Sequence, residues 1–378
     1  MRLLSFILLI LFGGTMFFSC KKPYDPPALQ VDYKYLVVDG SIVSSLDSPT
    51  VISLSRTTKL SDSIKNIPEG GASVSVEEKG GAHFPLNEIT VGVYKGVPAL
   101  LNYNSQYRLR IITNQGDEYL SDFVTVKQTP PIDSVTWEQK KDVNIYLNTH
   151  DPSSSSKYYR WDFTETWEYN SSLNADISLE GNMIFYVDQN NQTYNCWMTS
   201  YSSQVLTATS IALKSDNISH ALITTIPQNS EKIGTRYSIL IKQYSITPEA
   251  YQYFQLLKKN TETVGSIFDA QPAQLYGNFT CVNDKNKIVI GYITASNVTQ
   301  QKIFINHNQL TDWNPEITGR SCDIITIGQD PSNNLLYEYP DPEYAPYYFS
   351  GCCSIVLARK SCVDCRVKGG VNHKPLYW

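Results

Sequence analysis

The sequence predicts a mainly all-β chain, with a first β-sandwich followed by a larger β-rich region that carries one amphipathic helix. Three observations predict it. Tyr occurs 26 times and charged residues make up only 18%, and Tyr, Thr and Val suit a pleated, half-buried surface. Short segments of alternating polarity recur along the chain, broken by Gly, Asn, Asp and Pro. One segment places apolar residues at helical spacing between a start and a stop signal.

Residues 1–19 read as a lipoprotein signal peptide. Arg2 begins it, Leu3 to Phe12 is apolar, Gly13-Gly14-Thr15 loosens its end and Ser19 precedes Cys20. The apolar run is shorter than the ~20 residues that span a bilayer. A small residue followed by cysteine makes Cys20 the expected lipidation site and first mature residue, although Phe17 stands where Leu is usual. An ordinary signal with an incidental cysteine is the competing reading. Residues 20–32 form a tether in which Pro23, Pro26 and Pro27 favour extended, solvated backbone. The expected membrane contact is therefore through the N-terminal lipid.

Residues 33–128 are expected to form the β-sandwich. Tyr35 to Val43, Thr50 to Ser55, Ala72 to Glu78, Tyr107 to Thr113 and Tyr119 to Val126 each alternate. Strands with one apolar face need a second layer to bury it. Glu69-Gly70-Gly71-Ala72-Ser73-Val74 and Tyr107-Arg108-Leu109 resemble the immunoglobulin-like modules of carboxypeptidase-regulatory and transthyretin type. Pro130-Pro131 then marks a boundary, because proline cannot donate to a ladder and stiffens the join.

The larger region is expected over 132–378. Its strongest strand is Tyr158 to Tyr169, with Tyr159, Trp161, Phe163, Trp167 and Tyr169 on one face and Glu165 interrupting them. Arg160, Asp162, Thr164, Thr166 and Glu168 make the wet face. Asp162 and Glu168 do not make a glycosidase pair, since six positions along one strand separate them by ~20 Å. The helix is expected at about 248–262, with Thr247 as cap, Pro248 and Glu249 in the first turn, and Ala250, Tyr253, Phe254 and Leu257 as its apolar stripe. Leu335 to Phe349 is rich in Tyr and Pro. Tyr337, Tyr339, Tyr344, Tyr347 and Tyr348 are the ligand-binding candidates, because tyrosine offers rigid amphipathic contact area.

Eight cysteines leave an odd number once Cys20 is set aside. In an exported chain the C-terminal cluster reads as disulfides, with Cys352 and Cys353 linked to Cys362 and Cys365. Zinc is the weaker reading, as the cluster has one CxxC and His373 lacks a partner ligand. The sequence shows no GxSxG, HExxH, P-loop or GxGxxG. No catalytic residue, metal site or cofactor is assigned. The net charge of −5 without a basic stripe argues against nucleic acid.

The start ending at Cys20, Pro130-Pro131-Ile132-Asp133-Ser134-Val135-x-Trp137, the Thr247-Pro248-Glu249 helix and the ending Cys362-x-x-Cys365-Arg366-x-x-Gly369-Gly370 through Lys374-Pro375-Leu376-Tyr377-Trp378 belong together. In that order they resemble the Bacteroidetes outer-membrane lipoprotein family catalogued as domain of unknown function 4249. The resemblance implies a lipid-anchored protein of the outer membrane and transfers no catalytic residue. It also implies association with a TonB-dependent outer-membrane transporter. Asp25 stands without an acidic run beside it, so the periplasmic and cell-surface faces both stay open. The expected function is a non-catalytic binding or accessory component for a transporter, a glycan or a peptide. The alternatives are an extracytoplasmic hydrolase with an unidentified site and a purely structural envelope protein.

Overall fold

The structure is a computed structural model, and it describes residues 34–58, 67–180, 183–188, 191–262, 275–315, 322–328, 342–351 and 354–378. Cys20, the leader, the tether, Tyr337, Tyr339, Cys352 and Cys353 lie outside the described residues.

The first strands are β1 (Leu36–Val43), β2 (Val51–Arg56), β3 (Ile67–Pro68), β4 (Ser73–Glu78), β5 (His83–Thr90), β6 (Val93–Gly96), β7 (Gln106–Ile112), β8 (Glu118–Ser121) and β9 (Val124–Lys127). The chain continues through β10 (Ile132–Gln139), β11 (Val143–His150), β12 (Tyr158–Asn170), β13 (Ile177–Glu180), β14 (Met183–Tyr186), β15 (Asn195–Tyr201), β16 (Leu206–Thr209), β17 (Asn217–Ile226) and β18 (Arg236–Ser245) to the helix α1 (Pro248–Glu262). After it come β19 (Phe279–Cys281), β20 (Val289–Ile290), β21 (Ala295–Ser296), β22 (Val298–Asn306), β23 (Ile324–Gly328), β24 (Tyr344–Ser350), β25 (Ser354–Arg359) and the short helix α2 (Lys360–Val363). The fold is mainly β, as the alternation predicts.

Alternation drives the first group inward. Leu36, Val38 and Ile42 of β1, Ile52 and Leu54 of β2, Val74 and Val76 of β4, and Tyr107, Leu109 and Ile111 of β7 share one core. The two-sheet sandwich expected for 33–128 does not form. The strands run β7–β4–β5–β6–β2–β1, β21 pairs in parallel with both β1 and β9, and β9 pairs back to β7. The result is an eight-strand barrel-like sheet. Its edges are spent on each other, so one sheet buries its own apolar face. Tyr94, Tyr107 and Tyr119 are among the largest side chains buried in it, and an eight-strand ring is about the size that side chains fill.

The expected boundary near 129–132 is crossed. After α1 the chain returns to the barrel, where β19 pairs with β8, β20 with β1, and β21 completes the ring. The Asn278 side chain holds this return in place. Its amide nitrogen donates to the Ile293 carbonyl at 3.0 Å and its oxygen accepts from the Ile293 N–H at 2.8 Å. Gly291 is required here, because a Cβ would lie 2.5 Å from the Val38 carbonyl oxygen.

The second body is two facing sheets. One has the order β10–β11–β17, and the other centres on β12 with β15, β16, β18 and then β22. Tyr159, Trp161, Phe163, Trp167 and Tyr169 of β12 pack against Val143, Ile145 and Leu147 of β11 and Ile223 and Ile226 of β17. Glu165 sits in that row, 4% exposed. It accepts the Tyr237 hydroxyl at 2.7 Å and the Lys232 ammonium at 2.5 Å, which satisfies the carboxylate.

The expected helix is α1. The Thr247 hydroxyl accepts the Ala250 N–H at 3.2 Å. Its buried Ala250, Tyr253 and Phe254 pack with Val43 of the barrel and with Tyr244 and Ile246 at the end of β18. The helix thus fills the seam between the two bodies. The linker is also tied down: the Pro130 carbonyl accepts Gln243 Nε2 and the Thr299 hydroxyl, each at 2.9 Å.

Near the C-terminus, β23, β25 and β24 form a three-stranded sheet. The disulfides differ from the expectation. Cys365 pairs with Cys196 on β15, and Cys362 pairs with Cys322 just before β23. The cause is how this segment docks. The Cys365 carbonyl accepts the Tyr169 hydroxyl at 2.7 Å and its N–H reaches the Thr193 carbonyl at 2.9 Å, which delivers its sulfur to Cys196. Cys281 is free and buried in the barrel.

Candidate functional site

The outer wall of the barrel and the wet face of β12 and β18 enclose a cleft of about 920 Å³. That is at the upper end of ligand-site volumes. Strand alternation builds both walls. Asp39, Ser41 and Val43 of β1 and Val51 and Ser53 of β2 point away from the barrel core into the cleft, while Arg160, Asp162 and Thr164 of β12 point away from the sandwich core to face them. The β12–β18 register sets Lys242 beside Asp162 and Tyr244 beside Arg160. Phe254 and Leu257 of α1 line it too, as does the loop from Tyr201 to Val205.

Arg160 reaches across the seam. Its Nη1 donates to the Ser41 hydroxyl at 3.3 Å, and the guanidinium lies 4.7 Å from the Phe254 ring centre and 5.9 Å from that of Tyr244. Burial pushes the Asp162 carboxyl up, while the Arg160 and Lys242 charges and a hydrogen bond from Tyr244 pull it down. The Tyr244 hydroxyl is raised by burial first and by the Asp162 charge second. The Asp39 charge adds to the rise of both. Neither Asp39 nor Lys242 makes a side-chain hydrogen bond or ion pair with any described residue. The cleft therefore presents charged heads of both signs that are open to a ligand.

Among the described residues that line the cleft there is no histidine or cysteine. Among the described residues no group of three His, Cys, Asp or Glu side chains is placed to hold a metal. The arrangement suits binding of a polar ligand through ion pairs and hydrogen bonds.

The wet face of β12 is divided. Arg160, Asp162 and Thr164 open to the cleft, but Thr166 bonds the Tyr377 hydroxyl at 2.7 Å and Glu168 accepts Trp378 Nε1 at 3.2 Å. Asp162 and Glu168 thus serve different surroundings. Tyr344, Tyr347 and Tyr348 lie on β24, away from the cleft. The Tyr347 carbonyl accepts the Asp176 N–H at 2.8 Å, Arg359 lies over the Tyr344 ring, and Tyr347 meets Tyr348 edge-on at 4.8 Å. Sequence reasoning placed Arg160 and Asp162 on a wet face but passed over Asp39, Lys242 and Tyr244. Asp39 stands at an outward position of the expected strand Tyr35 to Val43, Lys242 and Tyr244 stand at outward positions of β18, and only the register brings them to one place.

A family model described as Domain of unknown function (DUF4249) matches residues 21–302, a span that holds every residue lining the cleft. No curated protein matches the chain. Among solved structures, the chain has a distant likeness to a biofilm associated protein, BSP domain, at 7% identity and a TM-score of 0.13. The match covers 73% of this chain and 60% of that one. A likeness of that size says nothing of fold or activity.

Proposed function

We propose that this chain, which belongs to the family described as Domain of unknown function (DUF4249), is a non-catalytic binding component of the cell envelope whose binding site is the cleft. The observation that carries the reading is a large cleft in which Asp39 and Lys242, neither bonded to another side chain among the described residues, stand with the braced Arg160. The signal and Cys20 support a lipid anchor in the outer membrane. The partner in this reading is a TonB-dependent transporter that receives the ligand.

The test is affinity purification of the full-length protein from solubilised outer membranes, beside a Cys20→Ser variant. Wild type should bring down a β-barrel transporter and fractionate with outer membranes, and the variant should leave them. A protein that is consistently solitary, or a variant that stays with the membrane, overturns the reading.

A further inference from the structure

We infer that the cleft recognises an extended peptide segment carrying a carboxylate side chain, an inference that rests on the cleft being the binding site.

Charge comes first. Arg160 spends one N–H on Ser41 and is propped on the rings of Phe254 and Tyr244. No carboxylate of the described residues forms an ion pair with it, although Asp162 is close enough to feel its charge. A planar guanidinium held in this way offers a fork to an incoming carboxylate. Lys242, on the neighbouring strand and beside Asp162 in register, adds a second cation on the same wall. Asp39 faces them from the barrel wall and is available to accept N–H groups of the same ligand.

Shape comes second. Both walls are strand faces, so side chains of like orientation repeat every ~6.6–6.8 Å along each. An extended peptide has the same repeat. Between the charged positions the lining mixes aliphatic side chains, among them Val43, Val51, Val93 and Leu257, with hydroxyls such as Ser53 and Thr164 that can meet peptide N–H and C=O groups. Such a lining fits peptide side chains. A sugar ring packs its C–H face on a free aromatic face, but Arg160 lies over Phe254 and Tyr244, Trp161 and Phe163 turn their rings into the sandwich core, and Tyr201 is the exposed aromatic of the lining.

Isothermal titration of the purified soluble chain tests this with three probes: acetyl-Val-Glu-Val-Glu-Val-amide, its Gln counterpart, and tetragalacturonate as a carboxylate-bearing saccharide. The Glu peptide should bind, and the Gln peptide should bind at least about tenfold more weakly, the loss of one charge-assisted contact. Lys242→Gln should weaken the Glu peptide by about tenfold at unchanged melting temperature, and Arg160→Gln by at least as much with a lowered melting temperature, since it also gives up its contacts to Ser41 and Phe254. Equal binding of both peptides overturns the carboxylate. Binding of tetragalacturonate alone, abolished by Arg160→Gln, overturns the peptide class and leaves the cleft as the site. Binding of no probe overturns the inference, and recovery of a transporter by the wild-type lipoprotein then shows that the broader reading survives.

Discussion

Glu165 is the sharpest test of how the second body is held together. It occupies a position where β12 otherwise sends aromatic side chains into the core, and it is 4% exposed. Its two oxygens serve Tyr237, itself fully buried, and Lys232, whose side chain is 33% exposed. Burial, and then the Glu165 charge, push the Tyr237 hydroxyl well up, so it remains a donor. In Glu165→Ala that hydroxyl loses its acceptor inside the core, which costs roughly 1–3 kcal/mol. The vacated volume adds to this, while Lys232 can turn to water and contributes little. The expected loss is about 3 kcal/mol, at the low end for breaking a buried pair. Glu165→Gln keeps an oxygen for Tyr237 and should cost about 1 kcal/mol. The double variant Glu165→Leu with Tyr237→Phe removes both partners and should recover to within about 1 kcal/mol of wild type, since an apolar replacement of a buried polar pair is often neutral. Urea unfolding followed by tryptophan fluorescence reads all three, because Trp161 and Trp167 lie in the same core. A loss below about 1 kcal/mol for Glu165→Ala, or strict additivity in the double variant, would refute the reasoning.

Two further outcomes are expected. Burial pushes the Asp151 carboxyl up, but the Ser153 and Ser155 hydroxyls and the Ser153 and Ser156 N–H groups outweigh it and hold the pKa at about 2. Because the folded value lies below the unfolded 3.8, its contribution is present above pH 3.8 and lost as pH falls toward 2; Asp151→Asn should flatten the unfolding midpoint across that window, and an unchanged acid profile counts against it. Closing loops of 169 and 40 residues, the Cys196–Cys365 and Cys322–Cys362 bridges should contribute about 5 and about 4 kcal/mol on the chain-entropy account; a non-reducing peptide map should recover those two linked pairs, and a map joining Cys362 or Cys365 to the 352–353 pair would contradict the structure.

The strands and the helix were legible where the signal is local. Tyr158 to Tyr169 carries its two faces in its own alternation, and β12 follows it within one residue. Thr247-Pro248-Glu249 carries a helix start, and α1 runs over Pro248–Glu262 as expected. Tyr119 to Val126 predicts one strand, because nothing in it interrupts the pattern strongly, and the structure divides it into β8 and β9. The break at Asp122 and Phe123 is imposed by neighbours, as β7 takes β9 at Gln106 and Tyr107 and β8 from Arg110 onward.

Local pattern determined that this chain would be β-rich, where its helix would start and which face of β12 would be wet, because alternation and capping depend on residues a few positions apart. Tertiary structure decided that the first body closes into a ring, that β21 completes it from across α1, that Cys365 meets Cys196 and that Asp39, Arg160 and Lys242 share one cleft. Those outcomes turn on which strand edge meets which and in what register. A two-residue strand such as Ala295–Ser296 carries no period of its own, so its place is set by the edges waiting for it.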